Sequence, residues 1–173
     1  MPRKTATAAA KPPQAVKISR PQVPALYGLQ GDTYLPWSFA EEKLTSAKNY
    51  WICTARADGR PHSIPVSGFW LDGAFCFGTA RDSQKGKNLT RNPAISVHLE
   101  SGDEVVILEG HVEEIDLADK NEVKRLDDAS KAKYKMPLMI LPASVCYRVR
   151  PLVVLAWREK DFPNSATRWQ FTV

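Results

Sequence analysis

Residues 58–79 read DGRPHSIPVSGFWLDGAFCFGT, and this stretch decides the fold. Asp58-Gly59 and Asp72-Gly73 are dipeptides that favour two-residue β-hairpin turns, because they tolerate the positive φ such turns require. Tyr50 to Ala57 upstream is aromatic and β-branched, Arg60 to Trp70 returns, and Ala74 to Ala80 follows the second turn. The pattern predicts three antiparallel strands in chain order. Pro61 and Pro65 fall in the middle one. Proline has no N–H to give to a ladder, so this strand is expected to be irregular, bulged or partly at an edge. Such a departure marks a place where a ligand can replace a neighbouring strand.

The elements on either side follow from the same signals. Ser38 to Glu41 reads as a capping box, with Ala40, Leu44 and Ala47 at helical spacing, which predicts a helix over about 39–48. Residues 81–92 (RDSQKGKNLTRN) predict a loop and a short helix ended by Pro93. Strands are expected over 94–100 and 104–115, split by Ser101-Gly102-Asp103. Asp116 to Asp119 then caps a helix with Val123, Leu126, Ser130 and Tyr134 along one face. After the proline-containing loop 137–142 comes a last long strand over 145–157, and a tail ending Thr167-Arg168-Trp169-Gln170-Phe171. Six or seven strands with short turns and two or three helices predict a mainly β chain with peripheral helices, an antiparallel closed or split barrel.

The bulk numbers fit one soluble domain. The chain has 173 residues, 43% hydrophobic and 25% charged, with no apolar run near the 20 residues that cross a bilayer. Its net charge of +5 equals that of residues 1–20 alone, which carry Arg3, Lys4, Lys11, Lys17 and Arg20 and no acid. The remainder balances, so a body-wide field for nucleic acid is not expected. Residues 1–22 read as a disordered basic tail and 23–173 as the folded domain. The tail lacks the apolar stretch of a secretory signal. An organelle transit peptide is the other reading of its composition, which favours plain disorder. Cys53, Cys76 and Cys146 lie far apart in apolar strands. They point to small core residues in a reducing, cytoplasmic setting, without disulfides or a metal site.

Several chemistries are absent from the sequence. It has no G-x-G-x-x-G, no G-x-S-x-G and no H-E-x-x-H, and Gly86-Lys87 is followed by Asn88 where a P-loop needs Ser or Thr. His62, His98 and His111 have no ligand-like spacing. What remains is Arg81, Ser83, Lys85, Lys87, Asn88 and Arg91, gathered at the expected start of a helix. Helix N-terminal amides and cations together suit a phosphate, while a solvated basic helix face is the equal alternative from this run alone. Position adds weight. The run follows the strand ending Phe77-Gly78-Thr79, so a phosphate held there would let a flat ring lie back over the proline-bearing strand.

The chain resembles the FMN-binding split barrels, the pyridoxamine 5′-phosphate oxidase-like superfamily that includes flavin and deazaflavin oxidoreductases. The resemblance is carried by Asp58 to Val66, Trp70 to Gly73, Phe77 to Thr79, Lys85 to Leu89, Arg91 to Pro93, Val97 to Glu100, Glu109-Gly110 and Tyr147 to Pro151, with Ser165 to Trp169 matching one subgroup. It covers roughly residues 36–171. It implies a homodimer with cofactor sites at the subunit interface. Lys85, Lys87 and Asn88, with Arg81 and Ser83, would hold the cofactor phosphate. His62, Ser63, Ile64, Pro65 and Val66 would line the ring, with Thr79 beneath it. Trp157, Arg168 or Trp169 would reach in from the partner, with interface packing the favoured role for the two tryptophans. The substrate-phosphate motif of pyridoxamine phosphate oxidase itself has no match.

The expected function is that of an oxidoreductase using FMN, or alternatively an 8-hydroxy-5-deazaflavin coenzyme, on a small organic molecule. No catalytic residue is named, because such a cofactor supplies the redox chemistry while the protein binds and orients it. A non-catalytic flavin or haem carrier is the alternative.

Overall fold

The computed structural model describes residues 14–28 and 33–172. The Asp72-Gly73 turn forms as its sequence dictates, with φ of 51° and 73° at its two central residues. At the first turn only Gly59 has positive φ, 82°, and the Arg56 N–H bonds to Arg60 O while the Gly59 N–H bonds to Arg56 O. That loop is one residue longer than the expected two-residue turn, a turn closed by a glycine bulge.

Twelve regular elements follow in chain order: β1 (Lys17–Ser19), α1 (Trp37–Ser46), β2 (Asn49–Ala55), β3 (Pro61–Ser67), β4 (Phe69–Leu71), β5 (Ala74–Ala80), α2 (Gln84–Arg91), β6 (Ala94–His98), β7 (Glu104–Glu114), α3 (Lys120–Tyr134), β8 (Ser144–Arg158) and β9 (Thr167–Gln170). The strands make one antiparallel sheet in the order β1-β9-β8-β7-β6-β2-β3, with β5 on the same edge of β8 as β9, along the first part of β8, and β4 beyond β5. β8 is the spine. It pairs with β7 along its length, with β5 over residues 144–149 and with β9 over 153–156. The register slips between Glu109 and Gly110, opposite Pro151, which has no N–H to give. A side chain at Gly110 would put its Cβ 2.4 Å from Arg150 O, so only glycine allows this crossing.

The sheet does not close. β3 pairs with β2 alone, and β5 pairs with β4 and β8, which leaves the barrel split between β3 and β5. The expected second hairpin is therefore present only in part. The run 60–70 breaks at Gly68, and just the three residues of β4 return against β5. The break is built. The Cβ position of Gly68 is filled by the Phe75 ring at 2.5 Å and Cys76 O at 2.6 Å. The Tyr134 hydroxyl accepts the Gly68 N–H at 3.0 Å and lies 2.7 Å from the carbonyls of Gly68 and Lys48, to one of which it donates. β3 itself keeps an unbroken register with β2, so the two prolines mark an edge strand and no bulge.

Other expectations hold or shift. Asp119 caps α3, accepting from the N–H groups of Asn121 and Glu122, and Leu126 and Ser130 are buried as expected. The capping box at Ser38 does not form. α1 begins two residues earlier, after Pro36, whose fixed φ suits the entry to a helix, and Ser38 lies inside the first turn. Two stretches read as tails are strands. Residues 1–13 of the basic tail lie outside the described residues, but Lys17–Ser19 pairs with β9, and β9 lies in the last tail. The Trp169 side chain accounts for β9, since it inserts into the core beside Trp37 at 5.6 Å and is 1% exposed.

Candidate functional site

β5 delivers the chain to α2 through a tight turn. Ser83 caps the helix, its Oγ accepting the Gly86 N–H at 3.1 Å and lying 3.1 Å from Thr79 Oγ1. Gly86 packs on the strand end, where a Cβ would fall 2.6 Å from both Ala80 O and Arg81 O. The Gln84 and Lys85 amides at the start of α2 lack acceptors within the helix, while those of Gly86 and Lys87 are taken by Ser83. Among the sequence-predicted residues, Thr79, Ser83 and Lys85 are thus drawn to one corner.

The strand β3 supplies the other wall. His62, Ile64 and Val66 are half-buried, while Ser63 and Pro65 are exposed on the opposite face. His62 Nδ1 is buried without a hydrogen-bond partner among the described residues. Burial first, and the positive charges of Arg56 and Lys85 next, hold its pKa below the ordinary histidine value. The positive charges of Arg56 and Lys85 therefore both act on His62, and neither side chain makes an ion pair among the described residues, although Arg56 also acts on the Asp58 carboxylate. Arg56 was not picked out in the sequence. Its signal was its place just before the Asp58-Gly59 turn, across the hairpin from the start of β3.

The remaining predicted contacts are placed elsewhere. Arg81 makes a two-pronged ion pair with Glu114, at 2.8 and 2.7 Å, which lowers the Glu114 pKa. Lys87 is exposed two residues from Lys85, on a different side of the helix. Asn88 is 2% exposed. Its amide donates to Thr54 Oγ1 at 2.9 Å and accepts from Gln84 Nε2 at 2.8 Å, so it fastens α2 to β2. Asn88→Ala is expected to cost about 1–3 kcal/mol, because it leaves buried polar partners unpaired, and urea denaturation reads that loss. Unchanged stability would remove the fastening role. Trp157 and Arg168 lie on the outer sheet face, Trp157 against Phe162 at 5.8 Å, whereas Trp169 is enclosed by its own chain.

Beside this corner, Gly78 and Thr79 border a cavity of about 350 Å³ that extends under α3. No group of His, Cys, Asp and Glu among the described residues could hold a metal ion.

The family model described as pyridoxamine 5′-phosphate oxidase matches residues 39–158. No curated protein matches the chain. Among solved structures it is similar to a conserved hypothetical protein from Mycobacterium tuberculosis, at TM-score 0.64 and 22% identity, over 75% of this chain and 89% of that one. It is also similar to a FAD-binding protein from Mesorhizobium loti, at TM-score 0.57 and 19% identity, over 78% and 95%. A third is an F420 reductase, at TM-score 0.51 and 24% identity, over 65% and 94%. These likenesses carry the fold: an antiparallel split barrel.

Proposed function

The chain belongs to the pyridoxamine 5′-phosphate oxidase family, and on that premise we propose that it is a flavin- or deazaflavin-dependent oxidoreductase acting as a homodimer on a small organic molecule. The observation that carries this reading is the buried, partnerless Nδ1 of His62, acted on by the charges of Arg56 and of Lys85 in the first turn of the Ser83-capped α2. An imidazole nitrogen without a partner, two cations outside any ion pair among the described residues and the Gln84 and Lys85 amides fit a phosphate. The split between β3 and β5 begins at that corner, and the free edge of β3 leaves room for a flat ring. The matching structures named for FAD and for F420 support the same class of cofactor.

When bound, the flavin or deazaflavin supplies hydride or electron transfer. The protein's part is to bind and orient. Lys85 and Arg56 neutralise the phosphate, Ser83 and Thr79 fix the turn beneath it, and Asn88 keeps α2 at the right distance from β2. The main-chain edge of residues 62–66 offers hydrogen-bonding groups to the ring.

The outer sheet face supports the homodimer. Trp51, His98, Ile107 and Leu155 stand in one row across four strands, with Val105 beside Trp157 in the next, and all are half-buried before any partner is added. Trp157 and Arg168, on this face, would then meet the second chain. Among the described residues no helix is long and apolar enough to cross a membrane.

The test is a titration of the purified, stripped protein with FMN and, separately, with the deazaflavin coenzyme, followed by ring fluorescence. Saturable binding of one or both is expected, on particles weighing two 19.3 kDa chains by light scattering. Binding of neither would remove the cofactor reading, and a single-chain mass would remove the dimer. Reoxidation of the bound, reduced cofactor by an organic acceptor no faster than of the free cofactor would make the chain a carrier.

A further inference from the structure

The cavity next to Thr79 has a composition that the proposed activity does not require. It lies between the end of β5, the start of β8, α3 and the 137–142 loop. Phe69, Phe77, Ile115, Leu126, Leu138 and Met139 are among the side chains that line it, and no Asp, Glu, Lys, Arg or His does. Its polar groups are largely committed inside the protein. Ser130 Oγ donates to Met136 O at 2.9 Å, Ser144 Oγ accepts from the Leu141 N–H at 2.9 Å, and the Tyr134 hydroxyl is held at the Gly68 break. Burial pushes the thiol of Cys76 up to about 11 and raises that of Cys146, so both stay neutral.

The segment beside the cavity is apolar too, and its Met139 and Leu141 are part of the lining. Met136, Met139, Ile140 and Leu141 stand 56%, 69%, 40% and 60% exposed within six residues. A cluster of this kind on a soluble domain marks a binding surface. A volume of about 350 Å³ is that of a small-molecule pocket. No charged side chain lines the cavity, and the Arg148 guanidinium that reaches the Cys76 thiol is already paired with Glu122, so an ionised group placed inside would find no free counter-charge.

We propose that this cavity binds a neutral, largely apolar small molecule of two or three rings and rejects phosphorylated and carboxylated ones. That this molecule is the substrate rests on the redox reading, because Gly78 and Thr79 border both the cavity and the candidate cofactor corner. The chemistry of the ligand does not depend on that reading.

The probe is N-phenyl-1-naphthylamine, neutral and fluorescent in apolar surroundings. Its comparison is 1-anilinonaphthalene-8-sulfonate, the same frame with one negative charge. Both are titrated into cofactor-free protein. The neutral probe is expected to bind saturably, and the sulfonate at least tenfold more weakly at the same site. Gly78→Leu identifies that site. A Cβ at position 78 meets only Cys146 Sγ at 3.6 Å and Val145 O at 3.9 Å, so the strand accepts a side chain that starts into the cavity. The variant should lose the neutral probe at least tenfold. Met139→Asp, at an exposed position on the rim, should weaken it several-fold and stands in for Gly78→Leu if that variant does not fold. Absence of saturable binding, or binding untouched by the folded variants, overturns the proposal, as does sulfonate binding of equal strength that Gly78→Leu also abolishes. Flavin binding without probe binding would sink the cavity proposal alone. Probe binding without flavin binding would sink the redox reading alone.

Discussion

Replacing Trp169 with alanine is expected to lower the stability of the chain by about 3–5 kcal/mol, the range for removing a large buried aromatic side chain. Trp169 is the largest of the side chains that are fully buried. Its ring meets Trp37 edge-on at 5.6 Å, and Trp37 meets Phe171 in the same manner at 5.2 Å. β9 is held on one side by β8 and on the other by β1, so a cavity at position 169 loosens three strands together. The resemblance had offered this residue as an arm reaching a partner's cofactor. The two roles differ in what they move. Urea denaturation should show the midpoint falling with little change in slope. A variant with unaltered stability but weakened cofactor affinity would restore the reaching role and reverse the placement of Trp169 in the core.

That misreading shows where the sequence stops being legible. Features set by neighbouring residues could be read directly: the Asp72-Gly73 turn, the Asp119 cap of α3, and the strand alternation of β6 and β7. The opening between β3 and β5 could not, because it depends on Tyr134 binding the backbone of Gly68, 66 residues away. The site divides in the same way. Ser83, Lys85 and Thr79 sit close in sequence, and the turn into α2 keeps Ser83 and Thr79 in contact. Asn88 looked like a phosphate ligand because its partner Thr54 lies 34 residues upstream, and Arg81 looked free because Glu114 lies 33 residues downstream. A polar residue in a basic run has the same appearance whether its partner is a ligand or a distant strand. Arg56 was the opposite case, an unremarkable arginine before a turn that the hairpin carries to His62 and Lys85.

Arg56→Ala combined with Lys85→Ala is accordingly expected to weaken FMN or deazaflavin binding by at least 100-fold, with little change in folding stability. A hydrogen bond to a charged group contributes about 1.5–3 kcal/mol, or roughly 10- to 150-fold in affinity for each cation. Among the described residues neither side chain makes an ion pair, and only the exposed Asp58 carboxylate feels Arg56, so little else depends on them. Lys87→Ala, on another side of α2, serves as the comparison and should change affinity only a few-fold through its more distant charge. Equal losses for Lys85→Ala and Lys87→Ala would place the phosphate on the solvent side of the helix and dissolve the corner. His62 provides an independent reading of the same geometry. In the free protein, burial and the two cations hold its pKa below the usual value, which favours the neutral ring. A phosphate dianion between Arg56 and Lys85 offsets that repulsion and favours the protonated ring. The His62 pKa should therefore rise when the cofactor binds, and protons should be taken up on binding near the ordinary histidine value. An imidazole titration followed by NMR, with and without cofactor, measures the shift. An unmoved His62 alongside tight binding would mean that the phosphate sits away from β3, and the ring with it.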